Sequence, residues 1–383
     1  MTKLPGSVLL LLLSPLSMAN QQMQTQKAAL GKLIFNDTSL SQPAGQSCQS
    51  CHQTAAAYSD PNNIVSPGAT PTLFGNRNAP SISYVKYNPV LHWDLTEKTW
   101  VGGFFYDGRS TNLHSQAKKP FINPLEMGNS SITQVIAKVK ESGYASMLQQ
   151  LYGKDLFEDE DDAIDAITDA LVAYEQGPEF APFSAKYDHY LKGNVSLSKQ
   201  ELLGLEVFEA EDKGNCAACH PSQPESSRRP PLFTDYTYDN IGLAANHKLP
   251  FLNMATKYNP AGKGYVDQGL AGNPNIDNPE LQVGKFKVPT LRNIAKTAPY
   301  MHNGIFDNLE DVVDFYNSRD IDKRWGVPEV KATVNHEELG DLKLSEIEVK
   351  ALVAFMKTLS DGYEVPAVVK GGEKSEEQVK NGE

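Results

Sequence analysis

Cysteine is scarce in this chain: four in 383 residues, beside three tryptophans and eight histidines. So few thiols exclude the dense disulfide framework of a small secreted scaffold. Long apolar runs are missing as well. The Val8–Leu13 run is far short of the roughly 20 residues a spanning helix needs, so no membrane anchor is expected. A cationic excess is also absent, with 35 Lys and Arg against 47 Asp and Glu for a formal charge of −12. That balance argues against nucleic acid and suits a cationic or patch-complementary protein partner. Part of the excess lies in the Glu158–Asp162 run and the Glu373–Glu383 tail, which read as solvated.

What little cysteine there is falls into two copies of one pattern. Cys48-Gln49-Ser50-Cys51-His52 and Cys216-Ala217-Ala218-Cys219-His220 both read C-x-x-C-H, the c-type haem attachment signature. Two thiols add to the two vinyl groups of a haem, and the following His then lies under the iron as proximal ligand. A paired C-x-x-C zinc site and a pair of disulfides are the alternatives. Neither accounts for a His directly after both motifs.

The N-terminus reads as a secretory signal over residues 1–19. Lys3 precedes the apolar stretch, and Ser17-Met18-Ala19 places small residues where a signal peptidase cuts. Export to the periplasm is the expected consequence.

The remainder repeats itself. Leu30-Gly31-Lys32-Leu33-Ile34-Phe35 precedes the first motif and Leu203-Gly204-Leu205-Glu206-Val207-Phe208 the second. Ala170–Tyr174 closes one half and Ala351–Phe355 the other, each at helical spacing, with Ser345 and Glu348 set for a capping box. Between them Gly108-x-x-x-Asn112-Leu113 matches Gly304-x-x-x-Asn308-Leu309. Each half therefore runs helix, haem loop, long excursion, helix, closing helix. The expected fold is mainly α: two cytochrome c-like helical domains in tandem, each wrapping one covalent c-type haem, with long irregular loops. The domains are placed at 20–190 and 196–360, with a linker near Tyr190–Ser196 and a mobile tail at 361–383. Ala55–Asn88 and Pro221–Lys285, rich in Pro and Gly, are expected to be ordered irregular loops over the haems.

Further matches decide between a carrier and an enzyme. They are Gly108-Arg109, Gln116, Pro120, Asn123-Pro124-Leu125-Glu126-Met127, Val288–Asn293 and Thr297–His302. With the two haem motifs, they make the chain resemble the bacterial dihaem cytochrome c peroxidase and MauG family over nearly its whole length. The resemblance implies a peroxidase that reduces hydrogen peroxide with electrons from a small cytochrome c or cupredoxin. The alternative it admits is a MauG-like enzyme that oxidises aromatic residues of a partner protein through a high-valent di-haem state. A non-catalytic dihaem electron carrier is the third class.

By the same resemblance, peroxide binds at the N-terminal haem, with Glu126 as acid–base and Gln116 as orienting donor. Taken without it, a Gln and a Glu at this spacing would be surface residues. No His occurs between His52 and His92, and position 72 is Thr, so the second His that several members place on this haem is missing. His92 is either an ordinary loop residue or a substitute ligand. In the repeat Pro120 stands opposite Tyr316, the position that gives the C-terminal haem its sixth ligand in the family. Tyr316 is thus that ligand or a packed core residue, with Met254, Met301 and Met356 as competing ligands or core filler. Tyr106 stands where the family usually has Trp between the haems, and a Tyr relay must lose a proton on oxidation. The resemblance also implies one calcium ion between the domains, held by Asn78, Thr297 and Pro299. Against that, Asn78 reads as a turn residue before Pro80. Arg109 and Arg292 are candidate partners of haem propionates.

Overall fold

The computed structural model describes residues 15–224 and 229–366. The signal-peptide reading therefore falls mostly outside the described residues, as does most of the expected tail. Ten α-helices are present among the described residues, with two small two-stranded antiparallel sheets. The first half carries α1 (Pro15–Asn36), α2 (Cys48–Cys51), α3 (Leu113–Ile122), α4 (Ile132–Glu141), α5 (Ala145–Tyr152) and α6 (Glu160–Glu175). After α7 (Lys186–Leu191) come α8 (Lys199–Glu209), α9 (Leu309–Ser318) and α10 (Glu346–Lys357). None of them is long and apolar enough to cross a membrane.

Two apolar cores form. One collects Leu30, Ile34 and Phe35 of α1 with Val135 and Val139 of α4, Leu148 of α5 and Ile167 and Leu171 of α6. The other collects Phe208 of α8, Val313 and Phe315 of α9, and Leu352 and Phe355 of α10. The changeover falls between Phe180 and Tyr187, upstream of the Tyr190–Ser196 linker read from the sequence, because Tyr187 packs into the second core.

The repeat has a physical counterpart at every landmark. A Cβ on Gly31 would overlap the Ala170 carbonyl and lie 2.9 Å from Tyr174 Cβ. On Gly204 it would overlap the Ala351 carbonyl and lie 2.7 Å from Phe355 Cβ. Only glycine lets α1 cross α6, and α8 cross α10, so closely. Asn112 Oδ1 accepts from Ser115 N–H (2.9 Å) and Asn308 Oδ1 from Asp311 N–H (2.8 Å), so equivalent Asn residues start α3 and α9. Gly108 and Gly304 take left-handed φ of 65° and 61° before these caps. The Ser345–Glu348 capping box forms at α10.

The excursions are irregular but bonded. The segment after Tyr87 folds into a hairpin, β1 (His92–Asp94) against β2 (Thr99–Val101), with Trp93 paired to Trp100. In the second half β3 (Tyr238–Asp239) pairs with β4 (Phe286–Lys287). Asp361 belongs to the ordered chain rather than the tail, since its carboxylate accepts from Tyr84 Oη (2.8 Å), Ser184 N–H (2.9 Å) and Asn293 Nδ2 (2.8 Å).

Candidate active site: one cavity with two haem motifs

A single cavity of about 510 Å³ is lined by both C-x-x-C-H motifs. In the first, the His52 amide donates to Cys48 O (3.0 Å), turning the ring inward, and Nδ1 meets Tyr58 O at 3.0 Å. In the second, the His220 amide donates to Cys216 O (2.9 Å) and Nδ1 meets Phe233 O at 2.8 Å. A carbonyl at Nδ1 fixes the proton there and leaves Nε2 with its lone pair, the tautomer a metal ligand needs. Burial lowers both imidazoles, His220 to about 4, so each is held neutral. Burial also raises the thiols, Cys51 to about 11 and both Cys216 and Cys219 to about 12. A site that penalises thiolate accepts an uncharged thioether without cost. These donors fit a covalently attached haem at each motif.

Around the first motif the wall is polar in one place. Gln116 and Pro120 lie four apart on α3, on one helical face, and both line the cavity. Glu126 follows α3 in a turn closed by its amide on Asn123 O (3.0 Å) and its carbonyl on Ala69 N (2.6 Å). Burial raises its carboxyl, while Arg109 and the Asn123 Nδ2 bond (3.0 Å to Oε1) pull it down. Its charge acts on both Cys48 and Cys51, which puts it beside that motif.

Tyr316, on α9, lines the cavity at the second motif, where Cys219 and Cys216 act on its phenol. Burial first, then Cys219, Asp239 and Cys216, holds the phenol protonated well above its ordinary range. Tyr106 also lines the cavity, its phenol likewise raised by burial, and its carbonyl accepts from Lys287 N–H (2.8 Å). Met301 and Met356 line the cavity as well, whereas Met254 does not. His92 is outside it: the side chain is exposed on β1, with Nδ1 on Val90 O (2.9 Å).

The two arginines differ. Arg109 lines the cavity with its guanidinium 3.7 Å from the Phe105 ring centroid and Nη1 2.9 Å from Asp107. Arg292 is wholly buried and already spoken for, with Nη1 on Asp188 Oδ2 (2.7 Å) and Nε and Nη2 on Pro231 O. Three of its N–H groups thus serve the second half's interior, which restricts the propionate role read from the sequence.

Asn78, Thr297 and Pro299 share the cavity wall. Asn78 Nδ2 donates to Ile64 O (2.9 Å) and its amide to His302 O (2.7 Å), leaving the side-chain oxygen as the candidate ligand atom. Among the described residues no group of three or more His, Cys, Asp or Glu is placed to hold a metal. A cation here would therefore rest on neutral oxygens.

Sequence reasoning missed four cavity residues. Arg77 forks onto Asp267 (2.7 Å twice) and reaches Asp107 (2.7 Å), joining the two halves. His302 stacks on Phe286 at 3.5 Å. Lys287 is half-buried, and desolvation lowers its ammonium to about 7. Glu175 is buried with no partner on Oε2. His302 closes the Thr297–His302 match without a role read for it, and Glu175 left a signal of its own, a carboxylate at a repeat position that holds Met356 in the other half.

Comparison with known proteins agrees with this geometry. A family model described as di-haem cytochrome c peroxidase matches residues 25–196. The methylamine utilization protein MauG of Paracoccus denitrificans is 38% identical over 352 residues, covering 87% of this chain and 88% of that one. The cytochrome c551 peroxidase of Nitrosomonas europaea is 28% identical over 336 residues, 87% of this chain and 79% of its own. Among solved structures, the diheme peroxidase BthA of Burkholderia thailandensis superposes with a TM-score of 0.79 at 34% identity, covering 88% of this chain and 86% of that chain. The chain belongs to the di-haem cytochrome c peroxidase/MauG family.

Proposed function

We propose that this chain is an exported di-haem peroxidase, with two cytochrome c-like domains, that reduces hydrogen peroxide using electrons from a small redox protein. The observation that carries the reading is the asymmetry of the cavity. Glu126 acts on the thiols of the His52 motif and shares the cavity wall with Gln116 and Pro120, while the thiols of the His220 motif act on Tyr316. Bound at both motifs, haem would supply redox-active iron, one centre for cleaving the O–O bond and one for exchanging electrons.

The chain's own residues do the rest. The Glu126 carboxylate takes the first proton from peroxide and hands it to the departing oxygen, so no hydroxide need leave. The Gln116 amide donates a hydrogen bond to the oxygen on which charge develops. Pro120, at the repeat position of Tyr316, offers no ligating atom, so this face stays open to substrate. Tyr316 occupies the matching face at the second motif, where a phenolate stabilises the oxidised state. Tyr106 stands between them as the relay, releasing its phenolic proton when oxidised.

A MauG-like reaction, oxidation of aromatic residues on a partner protein, is the second reading. Tyr316 and the 38% identity to MauG favour it. One experiment sorts the readings: haem-loaded protein given peroxide with a small cytochrome, a cupredoxin or a candidate protein substrate. Catalytic oxidation of the small donors is expected. Oxidation of the protein substrate alone selects the second reading. Peroxide that leaves the haem spectrum unchanged and oxidises nothing leaves only an electron carrier.

A further inference from the structure

Among the described carboxylates that line the cavity, Glu175 is the one with a buried oxygen that has no hydrogen-bond partner, and the proposed reaction does not use it. It ends α6, lines the cavity beside the first motif, and is 6% exposed. Its Oε2 is buried with no hydrogen-bond partner. No ion pair to it exists among the described residues. The cations that face α6 from its neighbours are engaged elsewhere. Lys27 of α1 pairs with Asp169, Lys118 of α3 with Asp165, and His114 of α3 lies 3.5 Å from Asp169. The remaining groups near it are Cys48 from the haem loop and Tyr174 from its own helix, with Tyr58 and Glu179 beyond Tyr174. Glu126 and Cys51 also act on Cys48. None of these offers a compensating positive charge.

The molecule contains its own control. Gly31 packs on Ala170 and Tyr174 just as Gly204 packs on Ala351 and Phe355, which puts Glu175 and Met356 at equivalent places. Leu171 and Leu352, four residues earlier, line the cavity in both halves, as do Glu175 and Met356 themselves. The second half satisfies this position with a thioether. A buried carboxyl without a partner destabilises a domain, whereas an apolar side chain at the same place does not. The fold does not require an acid here, so the acid serves the first haem.

We propose that Glu175 is the proton site coupled to the oxidation state of the first haem iron, protonated when that iron is ferrous and ionised when it is ferric. The proposal rests on the di-haem reading above. Ferric haem carries one positive charge more than ferrous haem, and in a low-dielectric cavity that charge favours a neighbouring carboxylate. The step balances: the iron passes one electron to the redox partner or to peroxide, Glu175 gives up one proton to solvent, and the net charge of the cavity is unchanged. Burial alone pushes the carboxyl up to about 8, which places its neutral form at physiological pH until the iron is oxidised.

The test is a spectroelectrochemical titration of the haem-loaded enzyme across neutral pH, for wild type, Glu175→Gln and Glu175→Met. In the wild type the potential of the His52 haem should fall as pH rises, while that of the His220 haem should not follow Glu175. Both variants should flatten the first slope and hold that potential at the wild type's acid limit, because neither can ionise. Glu175→Met carries the residue the other half uses, so it keeps the test usable where Gln folds poorly. A flat wild-type curve overturns the proposal. So does an unchanged slope in the variants, as ionisation of an iron-bound water would give. Peroxide turnover is a separate readout: a failed slope with normal turnover removes Glu175 alone, and a Glu175-dependent slope without turnover removes only the peroxidase reading.

Discussion

At the scale of single residues the two haem environments differ by a few side chains, and each difference forecasts a measurement. Glu126 works as a base only when ionised, and burial raises its carboxyl above the ordinary range. Peroxide cleavage should therefore fall as pH drops through that raised value, giving an acid limb above the usual carboxylate pKa. Glu126→Gln should abolish the limb and slow cleavage by roughly 10²–10⁴-fold while both haems stay attached, read by stopped-flow spectroscopy. An unchanged rate removes Glu126 from the mechanism. Tyr316 is the other pivot. Burial holds its phenol protonated, so an iron at His220 would have to displace that proton to gain the ligand. A phenolate donates charge and lowers the potential; a thioether raises it. Tyr316→Met should thus raise the potential of the second haem alone. If Tyr316 merely packs, the variant should cost a little stability with both potentials unmoved.

At the scale of elements, the helices that carry the haem loops are set by glycine. Gly204 lets α8 press on the backbone of α10, and Gly31 does the same for α1 on α6. Gly204→Ala would force the Ala351 carbonyl and the Phe355 side chain aside, a cost of about 1–3 kcal/mol or more from overpacking. Thermal unfolding of the haem-loaded variant should show a clear drop in Tm, whereas Gly143→Ala, with open space around it, should not. These elements were legible in the sequence because their signals are local: apolar spacing in Leu30–Phe35, an Asn before α3 and α9, a Ser345–Glu348 box. The motifs C-x-x-C-H were legible for the same reason. The hairpin at His92–Val101 was not, since its turn, Leu95–Lys98, holds no Gly, Pro or Asn to mark it and is set by the Asp94 carboxylate accepting from the Thr96 and Glu97 amides, beside Trp93 packing edge-on to Trp100, 5.7 Å between centroids. Nor was the place where one core gives way to the other, because Tyr187 is claimed by Phe233 and Phe355 from far along the chain.

At the scale of the whole molecule the question is what holds the two halves in one orientation around a shared cavity. The Arg77 fork is one answer, and no reading of local sequence finds it, because its partner Asp267 lies 190 residues away. Arg77 also stands 5.4 Å from the Phe286 ring, which in turn stacks on His302. His302 then returns to the first half through its carbonyl, which accepts the Asn78 amide at 2.7 Å. That chain of contacts ends on the residue expected to bind calcium, opposite Thr297 and Pro299 from the other half. Three neutral oxygens give a weak site that waters must complete, so occupancy should depend on free calcium. A cation bridging the halves stabilises the folded state by an amount that grows with its concentration over Kd. Protein kept free of chelator and equilibrated with calcium should therefore bind about one ion per chain by metal analysis. Adding calcium should raise Tm, and a chelator should lower it while changing how oxidation of one haem alters the spectrum of the other. Asn78→Ala should lose the calcium response and keep both haems. A protein with no bound calcium, and with a Tm indifferent to it, would leave Asn78 as the clasp between Ile64 and His302 and nothing more.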